Sequence, residues 1–225
     1  MKSIDFHTHH DRKSPNLINL QTLHVNPELK AEDLPNICSL GLHPWFLQRL
    51  GKALAWEDAW KNLEDLASLS QVVAIGECGL DRNIDLPLEI QTDIFKRHIE
   101  LAEELQKPLV IHCVRAFSEL IVLKKNIKSS IPWIIHGFNK KSEVFQQLLK
   151  HDFYFSLGAA ILSDRSPVIN AIATIPDGKF LLETDDRIDI TIEQIYDRAA
   201  ALRQISVETL QTQLVETYHQ LTGLG

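Results

Sequence analysis

Cysteine is scarce in this chain: Cys38, Cys78 and Cys113 are the only three, and none forms a CxxC pair. An odd, scattered set excludes a disulfide framework and points to reduced thiols in a cytosolic protein. Long apolar runs are also missing. The most apolar stretch, 153–162, is far short of the roughly 20 residues a bilayer span requires. A candidate site that begins at His7 leaves no room for a targeting segment, so the expectation is a soluble, cytoplasmic protein without membrane engagement. Nine glycines and nine prolines are spread without a linker, repeat or low-complexity tract, and one domain over residues 1–225 is expected. Positive charge is in deficit, with 23 basic against 30 acidic side chains and a net charge of -7. That balance excludes a surface that coats DNA by charge alone, but not a local positive site made by metal ions.

What the chain has in quantity is short β-branched runs, many of which end in a histidine or a carboxylate. They are 3–9, 16–20, 37–43, 72–77, 108–113, 132–137, 153–158 and 179–185. Near-continuous apolar runs suit strands covered on both faces, as in a parallel sheet. Helical spacing follows at 53–69 (Leu54, Trp60, Leu63, Leu66, Leu69), 88–105 (Ile90, Ile94, Leu101, Leu105), 118–127, 142–149, 167–175 and 206–221. Eight strands alternating with helices predict an α/β fold, a TIM-like (β/α)8 barrel. Only 11–16 separates the first two strand candidates, too little for a crossover helix. The barrel is therefore expected to be shortened or irregular at its first βα units.

In such a barrel, reactive side chains collect at the carboxyl ends of strands. Those ends carry His7, His9, His43, Glu77, His112, His136 and Asp185. Strand alternation puts Asp5, His7 and His9 on one face and turns His10 away. Histidines and two carboxylates form a shell for divalent ions such as Zn or Mn. Glu77 suits a bridge between two ions. Asp185 suits a ligand that also accepts a proton from an attacking water. Two ions bring about +4, against about -3 from Glu77, Asp185 and a hydroxide, and the surplus attracts a phosphate ester. His10, His24, His98, His151 and His219 lack a strand-end setting and read as surface or packing residues. Cys78 and Cys113 follow ligand candidates and read as buried thiols.

The ordered series Asp5-x-His7-x-His9, Gly41-Leu42-His43-Pro44, Ile75-Gly76-Glu77-Cys78-Gly79-Leu80-Asp81, Ile111-His112, His136-Gly137-Phe138 and Leu182-Glu183-Thr184-Asp185 resembles the TatD family of metal-dependent deoxyribonucleases. The resemblance runs from residue 4 to about 187. It implies a barrel that hydrolyses phosphodiester bonds with one or two divalent ions (Zn, Mn or Mg). By the family's pattern, His7, His9, Glu77 and Asp185 hold one ion, and Glu77, His112 and His136 the other, with Asp185 and Glu77 as catalytic groups. His43 is placed to touch substrate phosphate. Arg82 stands where the family carries a tyrosine, and Arg187 where it carries a proline. An arginine common two positions after the fifth-strand histidine is Val114 here, with Arg115 next to it. Arg82, Arg115 and Arg187 are candidate phosphate contacts. The expected partner is DNA, as single strands or ends. The alternatives are a small phosphoester, or a carboxylic ester or amide, and a non-catalytic metal-binding barrel.

Overall fold

The computed structural model describes residues 2–51 and 53–224, without the side chains of Ala53 and Leu54. The place of Leu54 on its helix face lies outside the described residues. The chain divides into two compact units, Met1–Gln21 with Ile135–Gly225, and Thr22–Ile134. Strand order in the eight-stranded sheet follows chain order.

The first unit opens with β1 (Ser3–Thr8), all six residues buried. It pairs in parallel with the start of β2 (Leu17–His24), Ser3 opposite Leu17 and Asp5 opposite Asn19. Residues 9–16 make this return without a helix, as the short spacing predicts. Further along are α5 (Ser142–Leu149), β7 (Phe153–Leu157), α6 (Ile169–Ile172) and β8 (Phe180–Leu182), then α7 (Ile192–Arg203) and α8 (Val207–Thr222). β7 and β8 run parallel, and an isolated bridge joins Thr8 to Asp185. Phe138, Phe145 and Phe155 form a buried aromatic knot, with centroids 4.8 and 4.9 Å from Phe155. Each such ring contributes about 2–3 kcal/mol through burial.

Two helices here differ from expectation. The helix expected over 167–175 shrinks to α6, because i→i+3 bonds such as Ala171 to Val168 and Thr174 to Ala171 tighten it into turns. α7 is not marked by the apolar pattern. It begins at a capping box between Thr191 and Gln194, and Tyr196 anchors it by accepting the Ile4 N–H at 2.9 Å.

The second unit contains the rest of β2, β3 (Cys38–Gly41), α1 (Pro44–Leu50), α2 (Ala53–Ala67), β4 (Val72–Asp81), α3 (Leu88–Leu105), β5 (Leu109–Val114), α4 (Phe117–Ile127) and the start of β6 (Trp133–Ile135). α1 is a helix that the sequence pattern did not announce. α3 has the expected limits, but its buried face is Gln91, Phe95, His98, Ile99, Leu101 and Ala102, while Ile90, Ile94 and Leu105 stay half-buried. Counting apolar residues alone misplaced the face, because two of its inward positions are polar residues with buried partners. Cys38 and Cys78 are buried and Cys113 only half-buried, so the expectation of a buried thiol fails at Cys113. Among the described residues no helix is long and apolar enough to cross a membrane.

β4 lies against β5 with no room for a side chain at two glycines. A Cβ on Gly76 would fall 2.2 Å from the Val110 carbonyl oxygen, and one on Gly79 2.1 Å from that of His112. Both glycines have positive φ, 126° and 143°, so a side chain is strained there before it clashes. Gly79→Ala is expected to destabilise the protein by at least about 2 kcal/mol. Denaturant unfolding followed by tryptophan fluorescence measures it, and an unchanged midpoint would contradict the close approach.

Candidate metal centre

In the first unit the donors sit at and just beyond the strand ends. His7 is fully buried, and its Nε2 and the Nε2 of His9 each lie 3.6 Å from Asp185 Oδ1. The His7 and His136 rings stack at 4.1 Å. Backbone bonds hold the two segments together: Asp185 N–H donates to the His7 carbonyl at 2.8 Å and His9 N–H to the Asp185 carbonyl at 3.2 Å. Asp185 itself adopts a left-handed φ of 55°, a mildly strained conformation that aspartate tolerates. Asp5, fully buried, accepts from Thr184 N–H at 2.8 Å and its hydroxyl at 2.6 Å, fixing the residue before Asp185. Burial pushes the Asp5 carboxyl up to about 6 against the Thr184 bonds and Arg12, with Glu183 adding to the rise.

Glu183 is fully buried, with Oε1 accepting Gly137 N–H at 2.7 Å and lying 3.6 Å from His136 Nδ1. Its Oε2 has no hydrogen-bond partner. A buried carboxylate with an orphaned oxygen calls for a cation. The sets His7, His9, Asp185 and His136, Glu183, Asp185 each bring their donor atoms within 4.8 Å of one another, a geometry that fits a divalent ion. A cavity of about 230 Å³ adjoins them, lined by Asn139, Gly158, Asp185 and Arg187 among others.

The second unit builds its own set around Glu77. His43 caps α1, its Nδ1 accepting Trp45 N–H at 3.1 Å, so its Nε2 faces Glu77 Oε1 at 3.1 Å. Pro44 at the first helical position makes this cap local: the backbone N–H it lacks has no helical partner anyway. His112 offers Nδ1 to the same Glu77 oxygen at 3.1 Å while its Nε2–H donates to Asp81 Oδ2 at 3.0 Å. A lone pair on His112 Nδ1 facing a carboxylate oxygen at that distance demands positive charge, either a proton or a metal ion. The donor atoms of His43, Glu77 and His112 also lie within 4.8 Å. With Nδ1 accepting from Trp45, His43 presents Nε2–H to Glu77, so Glu77 and His112 are the residues of this set that fit a cation.

Asp81 organises this set. Fully buried, it also accepts from Trp45 Nε1–H at 2.7 Å and Asn83 N–H at 2.7 Å. Burial works to raise its carboxyl, but bonds from His112, Asn83 and Trp45 outweigh it and hold the group at about 2. Gln91 of α3 clamps the same residue, accepting Asp81 N–H at 2.7 Å and donating to its carbonyl at 3.0 Å. His98, two turns of α3 further, accepts Leu42 N–H at 3.0 Å on Nε2 and meets the Ile94 carbonyl at 2.8 Å through Nδ1. It thereby pins the residue before His43. Burial pushes His98 down to about 4; the Ile94 bond opposes this and Arg97 adds to it.

The seven donors read from the sequence thus divide between the units, His7, His9, His136 and Asp185 in the first and His43, Glu77 and His112 in the second. Glu77 and His112 lie inside β4 and β5 rather than at their ends, because both strands run on past the expected limits. His10 turns aside to bond the Asp186 carbonyl. His24, expected to lack a strand-end setting, in fact closes β2, which runs four residues past the expected limit, and its ring stands 5.3 Å from that of His43. Arg82 pairs with Glu119, Arg187 pairs with Asp189, and Arg115 is exposed at the end of β5. Reading strand ends alone missed the supporting roles of Asp81, Trp45 and Glu183. Asp81 and Glu183 carried a signal, since acidic residues closing or following apolar strands must be buried with partners.

Histidine–carboxylate sets at the ends of parallel strands define a metal-centre protein of the α/β class. The TatD related DNase model matches residues 16–223, and the chain belongs to that family. An uncharacterised metal-dependent hydrolase of Bacillus subtilis is 31% identical over 65% of this chain and 57% of its own. The 3'-5' ssDNA/RNA exonuclease TatD of Edwardsiella piscicida is 31% identical over 73% of this chain and 62% of its own. The match thus spans less than two thirds of either relative. A solved TatD homologue from Escherichia coli superposes with a TM-score of 0.83 at 22% identity, over 99% of this chain and 98% of that one. A TatD family hydrolase from Entamoeba histolytica gives 0.75 at 15%, over 98% of each chain. These likenesses establish the TIM-like (β/α)8 barrel as the fold class.

Two outcomes follow from Asp81 and His98. Asp81→Asn is expected to weaken divalent-ion binding by about 10–100-fold, because the acceptor that fixes the His112 tautomer loses its charge. Calorimetric titration of metal-stripped protein with Zn or Mn checks this, and an unchanged affinity would refute it. A His98 pushed from about 6.5 to about 4 takes up its proton more readily when unfolded. Its contribution is therefore complete above pH 6.5 and lost as pH falls toward 4, about 3 kcal/mol in all. Asp5, raised to about 6, acts in the opposite sense, gaining stability as pH falls toward 4. The difference between wild type and His98→Gln in unfolding free energy against pH cancels Asp5. It should slope across that window; parallel curves would remove the assignment.

Proposed function

We propose that this chain is a divalent-metal-dependent hydrolase, a nuclease that cleaves phosphodiester bonds in DNA, at single strands or ends, by water activation. The observation that carries it is a pair of histidine–carboxylate triads, His7–His9–Asp185 and His43–Glu77–His112, each with donor atoms gathered within 4.8 Å. Family membership supports the reading, as do relatives named as an exonuclease and a metal-dependent hydrolase. One or two ions, Zn, Mn or Mg, are the cofactor. His7, His9 and Asp185 are the proposed ligands in the first unit with His136, and Glu77 and His112 in the second. A bound divalent ion supplies a water acidified to about pKa 7 and a Lewis acid for the phosphoryl oxygen.

The chain's own groups do the rest. Asp185, 38% exposed at its side chain, is the proposed proton acceptor, and Glu77 lies 3.1 Å from both His43 and His112. His43 is held by Trp45 N–H with its Nε2 turned inward, ready to meet a phosphate oxygen. Arg82, Arg115 and Arg187 are proposed phosphate contacts; Arg82 and Arg187 would exchange their carboxylate partners for phosphate. A single catalytic domain acting in the cytoplasm completes the reading, supported by the absence of cysteine pairs in the sequence.

Chelator-stripped protein is expected to release no nucleotides from a labelled single-stranded oligonucleotide, and to recover with Mn, Zn or Mg. Asp185→Asn and His7→Ala should each lose at least about 1000-fold in kcat/KM with unfolding midpoints near wild type. Full activity in the stripped protein would overturn metal dependence. Turnover of a chromogenic phosphoester with no nucleotide release would move the substrate to a small ester.

A further inference from the structure

Trp45 is half exposed, and among the described residues it is the only aromatic among the large exposed apolar side chains. Trp45 differs from the other exposed apolar side chains in the contacts that hold it. Both of its N–H groups are engaged. The indole N–H donates to buried Asp81 at 2.7 Å, and the backbone N–H donates to His43 Nδ1 at 3.1 Å. The ring packs edge-on against His43 at 5.6 Å and 88°, and against His112 at 6.1 Å and 71°. It sits in the first turn of α1, directly after Pro44. These contacts and the start of α1 hold the ring in place, while half of the residue's surface stays exposed.

We propose that the exposed part of Trp45 is a stacking platform for a nucleobase of a single-stranded nucleic acid, set beside His43, the proposed phosphate contact. This rests on the nuclease reading above and adds the part of the substrate that the metal ligands do not read. A ring held by its edge loses little freedom when a base stacks on it, so the binding free energy is not spent on ordering it. Stacking is tolerant of base identity because every base offers a π-face. It also demands a strand whose bases are free, which a duplex does not present. A purely supporting role, through the indole N–H on Asp81, is the rival explanation.

The two are separated by Trp45→Phe, which keeps an aromatic face but removes the N–H, and Trp45→Ala, which removes both. The kinetic readout is the ratio of kcat/KM for a base-bearing single strand to that for the same strand with abasic sites. Wild type is expected to favour the base-bearing strand by about 10- to 100-fold, Trp45→Phe to keep most of that ratio, and Trp45→Ala to bring it near one. A ratio unaffected by Trp45→Ala overturns the platform; equal loss in both variants assigns the effect to the Asp81 bond instead and also overturns it. The second readout needs no metal or turnover: quenching of fluorescence in stripped protein by base-bearing and abasic strands. Quenching by the base-bearing strand alone, absent in Trp45→Phe, is expected. If wild type cleaves no nucleic acid yet shows that quenching, the platform stands and the nuclease reading falls. If neither appears, both fall.

Discussion

A carboxylate can be buried only where donors fill its oxygens, and in this protein those donors come from the segments that carry the site. Asp81 sits with no exposed surface because His112, Trp45 and Asn83 each give it a hydrogen. Satisfying Asp81 therefore sets the tautomer of His112, orients its other nitrogen toward Glu77 and fixes the start of α1. Asp5 applies the same constraint in the first unit, where the N–H and hydroxyl of Thr184 hold the residue before Asp185. The desolvation cost of each acid is offset only by the geometry that a metal centre needs.

The second constraint is backbone proximity. Gly76 and Gly79 let β4 lie against β5 so closely that a Cβ would enter the carbonyl oxygens opposite. Glu77 lies between these glycines, and His112 supplies one of the opposing carbonyls. Their small size is thus part of how the two donors come within 3.1 Å. Helix α3 supports the same strands from outside, but with polar groups: Gln91 on Asp81 and His98 on Leu42. The helix that packs on the site is therefore also the helix that aims it.

Much of this was legible in the sequence. Apolar runs closed by His7, His43, Glu77, His112, His136 or Asp185 marked the strands, although β4 continues past Glu77 to Asp81 and β5 past His112 to Val114. The short 11–16 spacing announced a parallel return without a helix. Less legible were features whose signal is not apolar. The inward face of α3 hid behind Gln91 and His98, and α7 is recognisable by its cap more than its stripe. α1 is a seven-residue helix set by His43 and Pro44, too short to show a period. His24 gave no strand-end signal because its strand is half-buried, yet its ring lies against His43.

Sequence alone determined the donor inventory, the alternation that splits His7 and His9 from His10, and the family, because these depend on residue type and spacing along one chain. Tertiary structure decided which oxygen meets which nitrogen: that Asp81 holds His112, that Glu183 is left with an unpartnered oxygen, and that Trp45 is bound through its indole N–H yet half exposed. Those facts belong to pairs tens of residues apart, Trp45 with Asp81 and His112 or His136 with Glu183. Hydrogen-bond direction and burial are properties of such pairs, and no local pattern encodes them.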